Sequence, residues 1–391
     1  MRRTIWLQET RRMRFEEAYE GWQARRLTQG EAARILGVCD RTFRRYIGRY
    51  EEAGMEGLAD KRLCQVSHRK APVDEVMALA DLYRNRYHGW NIKHFHSRYR
   101  REGGGRCYTW VKKRLQEASL MPKASRKGAH RKKRERSALP GMMLHQDGST
   151  HEWVAGKHWD LIVTMDDATN EHYSMFFVEQ EGTASSFRGV REPIENKGLF
   201  CSLYTDRGSH YWNTPESGGK VDKVNLTQFG KGMRRLGIEM IPAYSPEARG
   251  RSERTFGTHQ GRLPNELAMM GITEIDPANA YLKAHYMPAF NAEFAKQAIG
   301  HGSAFVPYVG PSLDDVLCEQ HERVAGNDNC VSFEGLKLQI PPDVYRCNYA
   351  KATVIVHRHA DQSMAIFHGP RRLADYDAKG KPVQTKQKSA A

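Results

Sequence analysis

Three acidic residues have the types and spacing to bind metal ions: Asp147 in LHQDGS, Asp206 in LYTDRGSH and Glu253 in YSPEARGRSERTFG. The two aspartates end apolar, β-rich runs, and the glutamate follows a Gly/Pro-rich loop, in the first turn of a predicted helix. Carboxylates that lie close together repel each other unless a cation is bound between them. Oxygen ligands without a neighbouring Cys/His cluster suit Mg²⁺ or Mn²⁺. Two such ions, about 3.5–4 Å apart, can hold the attacking and leaving oxygens of a phosphoryl displacement.

The distribution of charge along the chain indicates which class of phosphate-containing molecule the protein binds. The chain of 391 residues has a formal net charge of +15. Residues 1–138 hold 34 Lys and Arg against 16 Asp and Glu, so the remainder holds 27 against 30. A basic segment beside a nearly neutral one is typical of a nucleic-acid-binding region attached to another function. A basic tail that only improves solubility is the alternative.

Composition also limits the cellular setting. No run of about 18 apolar residues occurs, and the charged N-terminal sequence lacks the apolar core of a signal peptide. The seven cysteines are scattered and form no CxxC pair. This pattern favours a reducing compartment over a disulfide framework, so we expect a cytoplasmic protein with no membrane partner.

Residues 1–63 predict a helix-turn-helix DNA-binding domain. Thr28 and Glu31 have the spacing of a capping box, which begins its first helix. Gly37 suits the end of that helix, and Asp40 suits the N-cap of the second. The second helix presents polar side chains near its N-terminus, where such a helix contacts DNA in the major groove. These predicted DNA-binding residues are Arg41, Thr42, Arg44 and Arg45. A helical hairpin with solvated arginines is the alternative.

Residues 71–121 predict a second helix-turn-helix domain of three helices. Its last helix carries the outward-facing residues Lys112, Lys113 and Arg114, which we expect to bind DNA. A zinc site is excluded by the ligand count, because His94, His96 and Cys107 provide one cysteine where a pair is needed. We interpret these three as ordinary packing or surface residues.

Residues 122–141 form a predicted basic linker without apolar periodicity. It carries Arg131, Lys132 and Lys133 among eight Lys/Arg residues and one Glu. We expect a flexible segment, or one ordered by DNA, that follows phosphates. A merely solvated run is the alternative for any single residue.

Residues 142–295 predict an α/β domain. Three strands come first, and strands then alternate with helices, which indicates a mixed sheet. Asp166 and Asp167 lie beside a predicted turn, where Asp is favoured for backbone hydrogen bonds, so we assign them a structural role. Asp160 is expected to be exposed at the start of the second strand.

The order of the acidic motifs HQDGS, YTDRGSHYWN and YSPEARGRSERTFG, downstream of helix-turn-helix units, resembles the DDE transposases of bacterial insertion sequences. These have the RNase H-like catalytic core of the retroviral-integrase superfamily. The resemblance covers roughly residues 20 to 290. Asp206 and Glu253 are 47 positions apart, longer than is common in such enzymes, and the Gly-rich, charged residues 213–224 are the expected insertion.

The resemblance implies that Asp147, Asp206 and Glu253 are the catalytic residues and bind two Mg²⁺ or Mn²⁺ ions. It implies strand cleavage at the terminal repeats of a mobile element, followed by strand transfer into target DNA. Glu253 is preferred to Glu247, which we expect in the preceding loop. Arg251 and Arg254 are predicted phosphate contacts, with charge balance as the alternative.

The resemblance also implies double-stranded DNA and a homo-oligomer as partners, and a bacterial, nucleoid-associated location. Two other functions remain open. One is a catalytically silent DNA-binding regulator derived from a transposase. The other is a nuclease that shares the fold and does not join strands.

The C-terminal region is predicted to contain a small β-rich, barrel-like domain at residues 311–375. Residues 312–328 are expected to be helical and then to turn, and short alternating strands follow. Such modules bind DNA or partner subunits, and a purely structural cap is the alternative. Residues 376–391 are expected to be a disordered tail. The predicted fold class is therefore a multidomain α/β protein with N-terminal all-α units.

Overall fold

The computed structural model describes residues 2–59, 70–123, 135–215, 219–244, 246–342 and 344–383. They form two compact units, Met1–Arg84 and Asn85–Ala391. Among the described residues, no helix has the length and apolar character needed to cross a membrane.

The first unit is helical, with a core built from three helices. Its helices are α1 Arg2–Gln23, α2 Gln29–Ile35, α3 Asp40–Gly57 and most of α4 Val73–Arg86. The predicted capping box begins α2: the backbone N–H of Glu31 donates to Thr28 Oγ1 at 3.3 Å, and that of Thr28 donates to Glu31 Oε2 at 2.7 Å. Gly37 ends the turn at φ +65°, as expected. Cys39, and not Asp40, is the N-cap of α3.

A compact core fixes α3 against the two preceding helices. Its fully or nearly fully buried members are Phe15, Ala18, Ala32, Ala33, Phe43 and Ile47. They recur at helical spacing, so each helix buries one face and exposes the other. The opposite face of α3 is therefore presented to solvent.

The second unit begins with two short helices, α5 Ile92–Arg101 and α6 Tyr108–Glu117. Asn91 caps α5 by accepting a hydrogen bond from the backbone N–H of His94 at 2.9 Å. The two helices pack together, and Phe95, Val111 and Leu115 are fully buried. The elements predicted for the second helix-turn-helix region are thus present.

The sheet of the second unit has five strands in the order β3-β2-β1-β4-β5. The strands are β1 Met143–Val154, β2 Lys157–Asp166, β3 His172–Val178, β4 Ser202–Thr205 and β5 Glu239–Pro242. The first three pair antiparallel, while β4 pairs parallel with β1 and with β5. This is the mixed sheet that the sequence predicted, with β1 at its centre.

Helices cover both faces of this sheet. They are α7 Thr183–Lys197, α8 Gln228–Leu236, α9 Pro246–Gln260, α10 Leu263–Met269, α11 Ile275–Tyr281, a π-helical segment Leu282–Tyr286 and α12 Met287–Phe294. One apolar core lies with α7 and α8 and includes Phe187 and Phe229. The other lies with α9 to α12 and includes Trp153 and Phe177. The predicted α/β fold class is confirmed.

The C-terminal region is β-rich, as predicted. Its elements are α13 Leu313–Val316, β6 Glu319–Val324, β7 Cys330–Phe333, β8 Leu336–Gln339, β9 Thr353–Arg358, β10 Met364–His368, β11 Arg371–Tyr376 and β12 Pro382–Val383. A five-stranded sheet in the order β12-β11-β10-β9-β6 packs with the β7-β8 hairpin around one apolar core.

Two predictions for this region were wrong. The helix expected over residues 312–328 is a single turn, because the chain then pairs with β9 as strand β6. The disordered tail was expected to begin at residue 376, but the chain is folded beyond that residue. Tyr376 is buried at 1% exposure, and Pro382–Val383 pair with β11. Residues 384–391 lie outside the described part of the chain.

The end of the predicted basic linker is docked on the sheet. Arg136 donates hydrogen bonds to the backbone oxygens of Asp167 and Ala168 at 2.9 and 3.2 Å. The backbone N–H of Gly141 donates to Asp166 at 2.8 Å. Residues 135–141 are therefore part of the folded unit and not flexible linker, because buried carboxylates and carbonyls bind them.

Candidate active site

The two aspartates of the first two motifs lie on neighbouring parallel strands. The observed pairing of β1 with β4 runs from Met143 opposite Ser202 to His145 opposite Tyr204. Two further residues in the same register bring Asp147 opposite Asp206, which directly follows β4. Side chains two residues apart share a face of the sheet, and adjacent strands are about 4.8 Å apart. The fold therefore brings these two carboxylates to one edge of one face.

Local hydrogen bonds orient both carboxylates. Asp206 Oδ1 accepts from the backbone N–H of Gly208 at 2.9 Å, which is the turn that ends β4. Asp147 Oδ1 accepts from the backbone N–H of Gly148 at 3.1 Å. Asp147 is 7% exposed, whereas Asp206 is half-buried. Asp147 is thus buried, whereas Asp206 remains partly open to solvent.

A third carboxylate, which the sequence analysis missed, lies beside them. Glu181 Oε1 accepts a hydrogen bond from the Tyr211 hydroxyl at 3.3 Å and lies 3.3 Å from His210 Nε2. A Cβ atom on Gly148 would come within 2.2 Å of Glu181 Oε2, so a larger residue next to Asp147 would require the Glu181 side chain to move. Glu181 belongs to none of the three motifs. Its sequence signal is an acid just after β3.

The pKa of the Tyr211 phenol is affected by all three of these acids. Burial raises the pKa of Tyr211 well above its usual value, and the negative charges of Glu181, Asp147 and Asp206 raise it further. The negative charges of all three carboxylates therefore act on this one hydroxyl. It remains protonated and donates to Glu181.

Asp160 holds the backbone of Glu181 in place. The prediction that Asp160 is exposed was wrong: it is 8% exposed. Its Oδ2 accepts the backbone N–H of Glu181 at 2.6 Å, and its other oxygen binds the Thr150 hydroxyl. The strand pairing of β2 with β1 and β3 buries this carboxylate, which the position at a strand end did not reveal.

Glu253 lies on α9, a helix that packs against β1. The buried face of α9 carries Ser252, Phe256 and His259, and Glu253 is exposed beside it. The helix begins at Pro246, so Glu253 is not in its first turn and Glu247 is not in a loop. The side chains of residues 245–249 lie outside the described part. The preference for Glu253 therefore stays a prediction based on the resemblance.

Asp167 connects the strand that carries Asp147 with the helix that carries Glu253. Its Oδ1 lies 2.7 Å from His145 Nε2 and also binds the guanidinium of Arg251. Its Oδ2 accepts from the backbone N–H of Ser137 at 2.8 Å. Burial alone would raise the pKa of Asp167, but the bonds from His145, Ser137 and Arg251 outweigh it and lower that pKa.

This network has the structural role predicted for Asp166 and Asp167. Asp166 accepts from Gly141 and, at the turn, from the backbone N–H of Thr169 at 2.8 Å. Arg251, predicted to contact phosphates, also donates to the backbone oxygen of Glu135 at 2.8 Å. Its guanidinium thus stabilises the fold in this structure. Arg254 is exposed on α9.

The DNA-binding residues predicted in the first unit lie mainly on its surface. Arg41, Arg44 and Arg45 are exposed on the first turns of α3. Thr42 is half-buried, and its hydroxyl lies 3.2 Å from Cys39 Sγ. The three arginines can therefore contact DNA without rearrangement of the helical core.

The residues predicted in the second helix-turn-helix region are less uniform. Lys113 is exposed on α6, whereas Lys112 is half-buried and Arg114 forms a salt bridge with Glu117 at 2.8 Å. The linker residues Arg131, Lys132 and Lys133 lie outside the described residues. Their contacts with DNA stay predictions.

The rejected zinc ligands at this end have other roles. His94 is buried, and its Nε2 lies 2.7 Å from Glu266 Oε1. His96 Nε2 lies 3.1 Å from the backbone oxygen of Arg106, and Cys107 is the exposed N-cap residue of α6. They are packing and surface residues, as interpreted.

Replacing Arg44 and Arg45 by alanine should weaken DNA binding about equally for different sequences if they contact phosphates. Each lost phosphate contact should lower the slope of log affinity against log salt by about 1. Fluorescence anisotropy over a salt series measures this slope. Arg26→Ala, which changes an exposed arginine outside α3, should leave it unchanged. If the slope is unchanged in the double variant, α3 is not part of the DNA-binding interface.

Known proteins resemble this chain along most of its length. A family model described as winged helix-turn-helix matches residues 17–69. The y4bF protein of Sinorhizobium fredii (strain NBRC 101917 / NGR234), named as a transposase, is 27% identical over 367 residues, covering 90% of this chain and 78% of that protein. The transposase for insertion sequence IS1202 of Streptococcus pneumoniae is 26% identical over 268 residues, covering 65% and 57%. These two relatives confirm the resemblance to insertion-sequence transposases.

Among solved structures, the catalytic core domain of HTLV-2 integrase in complex with magnesium aligns with 38% of this chain and 88% of its own. The identity is 17%, and the TM-score is 0.29.

Proposed function

We propose that this relative of insertion-sequence transposases is itself a DNA transposase. It binds the terminal repeats of a mobile element, cleaves a strand at each end and transfers the new 3′ ends into target DNA. The observation that carries the proposal is the parallel pairing of β1 with β4, which runs from Met143 opposite Ser202 to His145 opposite Tyr204 and, continued by two residues, would bring Asp147 opposite Asp206. The formation of the sheet does not require two aspartates that are 59 positions apart in sequence to lie close together.

The donor set suits a hard divalent cation. Asp147, Asp206 and Glu253 offer carboxylate oxygens, and no thiol is among them. We propose that these three residues hold two Mg²⁺ or Mn²⁺ ions. When bound, such ions activate the attacking oxygen and neutralise charge on the phosphate.

The protein groups have separable roles in this proposal. The rigid strands β1 and β4 fix two of the three carboxylates relative to each other, which limits the error in their spacing. α9 supplies the third and exposes Arg254 to the DNA backbone. Glu181 is a positioning residue that holds Tyr211 and His210 beside the aspartates. No covalent bond between protein and DNA is needed, because positioning and charge neutralisation suffice for phosphoryl transfer.

Glu181→Gln should lower strand cleavage about 10–100-fold, the usual effect of losing a residue that supports a metal site. The Mg²⁺ concentration that gives half-maximal activity should rise, because the negative charge near the ions falls. A titration of cleavage against Mg²⁺ measures both quantities. Glu179→Gln, an exposed neighbour on the same segment, is the matched control. If the maximal rate falls while the Mg²⁺ requirement stays unchanged, Glu181 has only a structural role.

A single assay tests the proposed activity against its alternatives. Purified full-length protein is incubated with Mg²⁺ or Mn²⁺, linear duplexes made from the DNA that flanks the coding sequence, and a supercoiled target. Cleavage followed by joining to the target is the expected result. Cutting without joining would show a nuclease, and specific binding alone would show a regulator.

The proposal includes the setting in which this reaction occurs. Two element ends must be held together while strands are transferred, so we propose a homo-oligomer that binds double-stranded DNA. Its substrate is chromosomal, which puts the protein in the bacterial cytoplasm at the nucleoid. The basic first third would supply the affinity for DNA.

A further inference from the structure

The C-terminal sheet contains a cluster of metal-ligand side chains far along the chain from the acidic motifs. One ligand atom each of Cys318, His357 and His359 lies within 4.8 Å of the other two. We propose that these residues form a structural Zn²⁺ site, with Asp315 as the fourth ligand. It is independent of the proposed transposase activity.

Strand geometry explains why the three side chains meet. Strands β6 and β9 pair antiparallel, with Glu319 opposite Arg358. One further residue in this register brings Cys318 opposite His359. His357 lies on β9 and His359 directly follows that strand, two positions later, so in extended chain the two side chains project from the same face of the sheet. The three donors therefore converge by register.

Two ring nitrogens in the cluster make no hydrogen bond within the described residues, although Asp315 Oδ1 lies 3.5–3.9 Å from them. His357 Nδ1 and His359 Nε2 are buried and accept or donate no hydrogen bond there. The His357 ring is 3% exposed and stacks on Phe367 with centroids 4.1 Å apart. A buried polar atom without a partner is costly, so both nitrogens are suited to a bound ligand.

A neighbouring hydrogen-bond chain sets the His359 tautomer. The Ser363 hydroxyl donates to Asp361 Oδ1 at 2.6 Å, so its oxygen accepts from His359 Nδ1–H at 3.0 Å. The lone pair of His359 is therefore on Nε2, which faces the cluster. A second ring nitrogen held in this way is the usual arrangement for a metal-bound histidine.

The donor set is that of a zinc site. One thiol and two imidazoles are borderline-soft ligands, which favours Zn²⁺ over Mg²⁺. Asp315 Oδ1 lies 3.5 Å from His359 Nε2 and 3.9 Å from His357 Nδ1. Tetrahedral zinc with its usual bond lengths separates its ligand atoms by about 3.3–3.8 Å. Asp315 is close to the two histidines but is outside the group of ligand atoms that lie within 4.8 Å of one another, so its carboxylate must move toward Cys318 to complete the coordination.

The surrounding charges are compatible with this assignment. Arg372 binds both oxygens of Asp315 at 2.9 and 3.0 Å and fixes its orientation. Gln320 Nε2 donates toward Cys318 Sγ at 3.9 Å. Burial raises the pKa of Cys318 to about 12.

Zinc binding must therefore release a proton from the Cys318 thiol as the Zn–S bond forms. The sulfur keeps its electron pair and no redox step occurs. The site would join α13 and β6 to β9 at one edge of the C-terminal sheet. Metal binding there would stabilise the sheet by linkage.

Metal analysis of the purified full-length protein tests the site. Wild type should contain about one zinc per chain. Cys318→Ser and His359→Gln should each lower zinc content at least about tenfold. Cys330→Ser, another buried cysteine of the same region, and His321→Gln should retain the metal. Asp147→Asn should also retain it, which separates this site from the proposed catalytic ions.

Cobalt provides a readout that does not depend on the stability of the variants. Co²⁺ added to zinc-free wild type should give a thiolate-to-cobalt charge-transfer band and the ligand-field bands of a tetrahedral site. Carboxylate sites give no thiolate band. Wild type without bound zinc and without this band would overturn the proposal, as would equal zinc loss in Cys330→Ser.

Discussion

Replacing Asp147 by asparagine is expected to abolish strand cleavage and strand transfer while DNA binding persists. The substitution keeps the size of the side chain and its hydrogen bond to the Gly148 backbone, but it removes the negative charge that a divalent cation needs. Loss of one electrostatic stabiliser at an active site typically costs about 10²–10³-fold in rate. Single-turnover cleavage with Mg²⁺, beside anisotropy measurements of DNA affinity, checks both parts.

The control for this substitution is an aspartate without a role in the site. Asp276 is exposed in the first turn of α11, so Asp276→Asn should cleave at the wild-type rate. Asp206→Asn should behave like Asp147→Asn, because both residues belong to the proposed metal site. Normal cleavage by either site variant would remove that residue from the proposed metal site.

Replacing Asp167 by alanine is expected to lower the free energy of unfolding by about 3–5 kcal/mol. Removing one partner of a buried ion pair leaves the other partners unpaired, and this loss dominates. Asp167 is fully buried and binds His145, Arg251 and the backbone N–H of Ser137. Urea denaturation measures the difference. Asp276→Ala should change stability by less than about 1 kcal/mol, the range of a charge at a helix end.

The Asp167 effect should also depend on pH. Its pKa is lowered in the folded state, so the unfolded chain binds a proton more readily. The stabilisation is complete well above the unfolded pKa of about 3.9 and is lost progressively as the pH falls from that value toward the lower pKa of the folded state. The stability difference between wild type and Asp167→Ala should therefore shrink in acid. A difference that stays constant from neutral pH to below 4 would contradict the ion-pair account.

Much of the fold was predictable because local rules and tertiary packing agree. The capping box at Thr28, the left-handed Gly37 and the apolar spacing through Phe43 all predict the observed helices. The alternation of strands and helices predicted the mixed sheet. The aspartates were found because both follow apolar runs, although Asp147 lies within β1, which continues to Val154.

Other features depend on contacts that no local pattern encodes. β6 was predicted as helix because its pairing partner β9 is distant in sequence, with paired residues 29 to 39 positions apart. The Cys318 cluster was missed for the same reason. Glu181 comes close to Asp147 only through the β1–β2–β3 pairing, and Asp160 is buried by that pairing. Long-range register, and not propensity, decides these positions.

The convergence of Asp147, Asp206 and Glu253 on a shared pair of cations is the central claim. Anomalous diffraction from crystals of the full-length protein grown with Mn²⁺ tests it directly. The account predicts two manganese peaks about 3.5–4 Å apart, both bound by carboxylate oxygens of these three residues. Manganese bound away from the two aspartates, or coordinated without any contribution from Glu253, would contradict it.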